Sequence, residues 1–262
     1  MYTICGKSAS MLPGNDDYPN LGIIRGQARG PLVEALRQRI SQLEGVRRPK
    51  SDSPLSTGCD PLDQLLPGRG LHRGTLVEWL ASGDGSGAES LALVAAREAC
   101  REGGPLVVFD RARQFYPPEA VRMGIELDRL IVVQAASQAD NLWALDQALR
   151  CPGVAAALAW PEKLDSRTFR RLQLAAEQGR GLGLLIRPEG VRQEPSWADV
   201  RLWVRPLPAG EPGVGRRLSV QLLRSRQGGG GSVEVEFVDE ARVVHLAPPL
   251  ARPADPRRAA GA

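Results

Sequence analysis

From residue 55 onward, short apolar runs alternate with stretches whose apolar positions recur at helical spacing. Leu76-Val77-Glu78-Trp79 predicts a strand, and the helix over about 90–101 that follows stops at Gly103-Gly104. Leu106-Val107-Val108-Phe109, Leu130-Ile131-Val132-Val133, residues 154–160 and Leu182-Gly183-Leu184-Leu185-Ile186 are nearly unbroken apolar runs. Parallel strands buried on both faces have that pattern. Between them fall a short helix from Pro117 to near Gly124, a helix ending at Arg150 and a helix ending at Gly179. Ser137 with Asp140 caps the second, and Asp165 or Ser166 caps the third. Repeated strand–helix alternation predicts an α/β fold with a mostly parallel sheet flanked by helices. After residue 198 the period becomes two. Val200, Leu202 and Val204, then Leu218, Val220 and Leu222, then Val233, Val235 and Phe237 alternate with polar neighbours. These predict antiparallel strands, with residues 227–232 as a hairpin tip.

The ends lack this order. Residues 1–29 have no periodicity and read as disordered. Pro31 opens a helix with Leu32, Leu36, Ile40 and Leu43 on one stripe. That stripe docks either on a partner or on the protein's own core. A basic linker runs to residue 54, the core spans 55–247, and the Pro- and Arg-rich tail 248–262 reads as disordered.

Composition narrows the function classes. The 34 basic residues include only Lys7, Lys50 and Lys163 as lysine, so the remaining 31 are arginines. The formal net charge of +4 supports at most a weak, non-specific attraction to DNA. Cys5, Cys59, Cys100 and Cys151, with His72 and His245, show no metal-ligand spacing, so neither metal nor cofactor is expected. Scattered cysteines and the lack of a membrane-length apolar run point to the cytoplasm.

The chemistry-bearing motif is Ser82-Gly83-Asp84-Gly85-Ser86-Gly87-Ala88-Glu89, between a strand and an apolar helix. That is the order of a phosphate-binding P-loop. A working loop ends in Gly-Lys-Ser/Thr, the lysine neutralising phosphates and the hydroxyl ligating Mg²⁺. Ala88 and Glu89 stand in those places, and a carboxylate repels a triphosphate. No catalytic residue is expected.

The run Leu55-Ser56-Thr57-Gly58-Cys59-Asp60-Pro61-Leu62-Asp63, followed by Gly70-Leu71-His72-Arg73-Gly74, resembles the entry to the RecA recombinase core. The resemblance extends over about 31–246. It implies that the water-activating glutamate falls on Ala112 and the Walker-B aspartate near Trp160, so four catalytic positions, two of them adjacent, are changed. The closest resemblance is to the non-catalytic RecA-like branch that includes the ImuA translesion-mutagenesis accessory family and the SulA division inhibitors. The N-terminal helix and late antiparallel strands favour the ImuA type. That resemblance implies DNA repair within the SOS DNA damage response. RecA, the Y-family polymerase relative ImuB and an error-prone replicative-type polymerase are the implied partners. A division inhibitor or a residual ATP-dependent recombinase are the alternatives.

Further candidates follow from the same resemblance. Arg224 and Arg226 match a basic pair that reaches the neighbouring subunit's nucleotide in RecA. They are candidate partner-interface residues, as are Leu32, Leu36, Ile40 and Leu43. The connections matching the DNA-binding loops are short, but Arg167, Arg170, Arg171, Arg180, Arg187 and Arg192 lie near that edge as possible phosphate contacts. Lys163 is a candidate substitute for the missing lysine.

Overall fold

The computed structural model describes residues 22–26, 29–43, 53–208, 215–238 and 243–246. The strands are β1 (Gly22–Gly26), β2 (Leu76–Ala81), β3 (Leu106–Phe109), β4 (Leu130–Ala135), β5 (Ala156–Ala159), β6 (Leu182–Pro188), β7 (Val200–Pro206), β8 (Arg216–Ser225), β9 (Gly231–Val238) and β10 (Val243–Leu246). The helices are α1 (Arg29–Leu43), α2 (Asp60–Leu65), α3 (Ala88–Arg101), α4 (Pro117–Arg122), α5 (Gln138–Arg150) and α6 (Ser166–Gly179). One sheet carries all ten strands in the order β1-β4-β3-β5-β6-β2-β7-β8-β9-β10.

The seven strands from β1 to β7 are mutually parallel, and β8, β9 and β10 continue the sheet antiparallel. Alternate side chains enter opposite cores, as the pleat requires. Val77, Trp79 and Val108 join the core under α2, α3 and α4, whereas Leu76, Val107 and Phe109 join the one under α1, α5 and α6. The predicted caps form: Ser137 Oγ accepts from Asp140 N–H at 3.1 Å, and Asp165 Oδ1 accepts from Thr168 N–H at 2.9 Å.

Three expectations are corrected. Residues 22–26, read as part of a disordered start, form β1 at the sheet edge, with Ile24 buried and paired to Val133. β7, read as antiparallel, runs parallel to β2 and antiparallel only to β8. Leu32, Leu36 and Ile40 are 1%, 1% and 3% exposed in the protein's own core, packed with α5 residues, so they form no partner surface. The side chain of Leu43, residues 1–21, the linker over 44–52 and the tail 248–262 lie outside the described residues.

Candidate functional site: a cleft at the carboxyl ends of the parallel strands

The chain leaves β3 toward β4 on one side of the sheet and leaves β5 toward β6 on the other, and crevices form at such a switch point outside the carboxyl ends of an open α/β sheet. A cleft of about 660 Å³ lies there, lined from β2, β3, β6 and the loops that leave them. Residues 83–89 form one wall. At its root Ser82 N–H donates to the Val204 carbonyl at 3.3 Å, and Ser86 N–H donates to Gly83 O at 3.2 Å. Gly87 is the N-cap of α3 with φ 84, and a Cβ there would come 2.5 Å from Leu218 Cδ1. Only glycine accepts both that backbone and that contact without strain.

All four positions that the sequence marks as altered converge on this cleft. Ala88 is buried at the start of α3, and Glu89, Ala112 and Trp160 line the space beside it. Asp110, 4% exposed, accepts from Gln114 N–H at 2.9 Å and Phe115 N–H at 3.2 Å. That turn brings Ala112 to the cleft. Trp160 follows β5 with its ring centroid 6.1 Å from that of Phe115. Desolvation chiefly, and then the charge of Asp110, push the Glu89 carboxyl above its ordinary range. A hydrogen bond from Trp160 works the other way, and Glu119 adds a weaker upward push. Where a nucleotide hydrolase needs a cation, a hydroxyl and two acids, this cleft presents a methyl, a carboxylate, a second methyl and an indole. The residues do not fit a Mg²⁺-bound triphosphate.

Behind the cleft lies a charged network that sequence reasoning missed. Glu78 is fully buried in β2. Arg187 donates to its Oε1 at 2.8 Å and Ser196 Oγ donates to its Oε2 at 2.7 Å. Arg201 Nε lies 2.7 Å from Oε2, an ion pair whose N–H is not aimed at the oxygen. The guanidinium of Arg201 instead donates to the carbonyls of Val191, Arg192 and Glu194. The available signal was charge inside apolar runs, as in Val77-Glu78-Trp79 and Ile186-Arg187. Charges there must pair.

The remaining candidates are held in other ways. Arg187 is 1% exposed and held by Glu78, so it is no surface phosphate contact. Lys163 is exposed and does not line the cleft. Arg170 stacks over Trp197, Arg192 over Trp203, and Arg171 pairs with Asp146. Arg224 and Arg226 sit at the far end of the sheet from residues 82–89, because β8 runs antiparallel from Arg216 at the cleft to Ser225 beside Val200. Arg224 donates to the Ser196 carbonyl at 2.6 Å, and Arg226 to Glu177 at 2.6 Å while also lying 3.2 Å from Asp199. Both are exposed. Hydrogen bonding from Arg226 is the leading cause that holds the Glu177 carboxyl below its usual range.

No family model matches the chain. Protein ImuA of Caulobacter vibrioides (strain NA1000 / CB15N) is 35% identical over 193 residues, covering 66% of this chain and 79% of that protein. The chain belongs to the ImuA family. Among RecA proteins, that of Rhodopirellula baltica is 39% identical over 83 residues, 32% of this chain and 22% of the relative. The cell division inhibitor SulA of Photorhabdus laumondii is 32% identical over 81 residues, 31% of this chain and 46% of the relative. The ImuA-family chain is thus RecA-related in sequence, as its sheet is in form. Among its described residues no helix is long and apolar enough to cross a membrane.

Proposed function

We propose that this ImuA-family chain is a non-catalytic adaptor in SOS-induced mutagenic translesion DNA synthesis. It works in the cytoplasm through protein surfaces, binding RecA, a Y-family polymerase-like partner of the ImuB type, or both, beside an error-prone replicative-type polymerase. The observation that carries this reading is the convergence of Ala88, Glu89, Ala112 and Trp160 on one cleft. One lost group is open to compensation from a neighbour. Four losses around a single space leave a fold that keeps the recombinase shape without its reaction. The similarity to ImuA spans 193 residues and that to SulA spans 81, which favours the mutagenesis role over division inhibition. Arg224 and Arg226 remain the candidate contacts toward a RecA-like neighbour, presented on the outer end of β8 and the turn after it.

Capture of RecA and the polymerase-like partner by the purified chain tests this, with and without ATP. Equal capture in both conditions is the expected result. Hydrolysis of ATP by the chain alone, or no capture of either partner, would overturn the reading.

A further inference from the structure

One stretch of the sheet's second face lies outside both cores. Leu202 and Val204 of β7 enter the core under α2, α3 and α4. Trp203 and Arg205 therefore point to the other side. There the core under α1, α5 and α6 takes no residue from β7, β8, β9 or β10. Trp203 is half-buried on this face and Arg205 is exposed. Arg192, which ends the single turn after β6, reaches the same indole.

That indole carries two guanidiniums. Arg192 Cζ lies 4.0 Å from its centroid and Arg205 Cζ lies 4.1 Å from it. Groups that close to one centroid fit only on its opposite faces. Trp203 Nε1 donates to Glu189 at 3.0 Å, which fixes the ring between them. Stacking uses the flat face of a guanidinium and leaves its in-plane N–H fork open. Among the described residues neither Arg192 nor Arg205 has a side-chain hydrogen bond or an ion pair. Other arginines of the fold contrast with them. Arg187, Arg217 and Arg226 each hold a carboxylate, and Arg170, stacked on Trp197, donates to Gln173.

Two like charges held on one ring repel each other, and an anion that reaches both relieves this. The fork suits carboxylate and phosphate alike. A nucleic-acid strand would also bring bases, whose stacking needs an open aromatic face. Both faces of Trp203 are taken, which favours carboxylates. The two guanidinium carbons are about 8 Å apart, close to the roughly 7 Å between alternate side chains of an extended strand. Arginine and tryptophan are also the side chains that dominate the energy of protein interfaces.

We propose that Arg192, Trp203 and Arg205 form a docking site for an extended acidic segment of a partner protein, two alternate carboxylates of which seat on the two forks. This rests on the adaptor reading in taking a protein as the occupant.

Titration of the ¹⁵N-labelled full chain with a capped peptide of alternating glutamate and serine tests it, following the Trp203 indole N–H. A saturable shift that weakens with salt is expected, with none from the same peptide carrying glutamine in place of glutamate. Arg192→Gln with Arg205→Gln should weaken binding of the acidic peptide at least tenfold, with the indole signal of the core residue Trp79 unmoved as a marker of intact folding. No saturable shift, equal binding by the double variant, or a shift from an oligothymidylate alone would overturn the proposal. Each of these leaves the adaptor reading standing, since that is judged by capture of RecA and the polymerase-like partner by the unchanged chain.

Discussion

Glu89 shows how one side chain changes what a loop tolerates. Its carboxyl is pushed up mainly by desolvation and then by Asp110, with Glu119 adding to it and Trp160 opposing. A carboxyl whose folded pKa is raised favours folding below its unfolded pKa, and that contribution is lost as pH rises through the folded value. At neutral pH Glu89 therefore costs stability. Glu89→Gln should stabilise the chain at pH 7 by up to about 1 kcal/mol once solvent screening is counted. The gain should vanish as pH falls through the carboxylate range, which urea titrations at several pH values would check. Glu177 has the opposite sign. Its depressed pKa supports folding above the unfolded value, and that support fades as pH drops through the folded one. Arg226→Ala should thus destabilise by no more than about 1 kcal/mol at pH 7 and progressively less in acid. Ala88→Lys with Glu89→Thr should not restore ATP hydrolysis in a phosphate-release assay. Ala112 and Trp160 still leave the water-activating and Walker-B positions without a carboxylate.

The parallel strands β2 to β6 and helices α3, α5 and α6 were legible because continuous apolar runs, caps and helical spacing pointed the same way. The direction of β7 was not. A period of two reports which side chains share a face, and it is silent on which way the strand runs. β1 was missed because Gly22-Ile23-Ile24-Arg25-Gly26 has two apolar residues between glycines, too few for a period. Its partner Ile131 to Val133 lies more than a hundred residues away. The role of α1 was open in the sequence, since an apolar stripe looks the same whether it meets the chain's own sheet or another protein. Packing resolves it: Leu36, 1% exposed beside the α5 residues Ala144 and Ala148, belongs to the fold. Leu36→Ala should cost about 2–5 kcal/mol in a denaturant titration. Of the site, the changed residues of the loop were readable one by one. Their meeting with Phe115 needed the sheet order, which no local pattern encodes.

Across the whole molecule, three separate stretches of chain meet at Glu78. Breaking a buried charge pair by removing one partner costs about 3–5 kcal/mol. Glu78→Ala, which strands Arg187 and Arg201, should lower unfolding free energy by that amount. A comparable loss is expected for Arg187→Ala, again read by urea denaturation. The thiol of Cys59, 1% exposed and pushed up to about 12 chiefly by burial, should stay unreactive toward a thiol reagent at pH 8 until the chain unfolds globally. The distance along the chain from Glu78 to its partners also has a consequence for biosynthesis. Arg187 lies 109 positions downstream and Ser196 lies 118. At about 5–20 residues per second a ribosome takes roughly 6–24 s to cover that interval. Throughout it β2 has neither β6 nor β7 beside it, and its acid has no cation. The newborn N-terminal half must wait, edges open, for the strands that complete it, and a message cut short before β7 yields a chain that cannot close its own sheet.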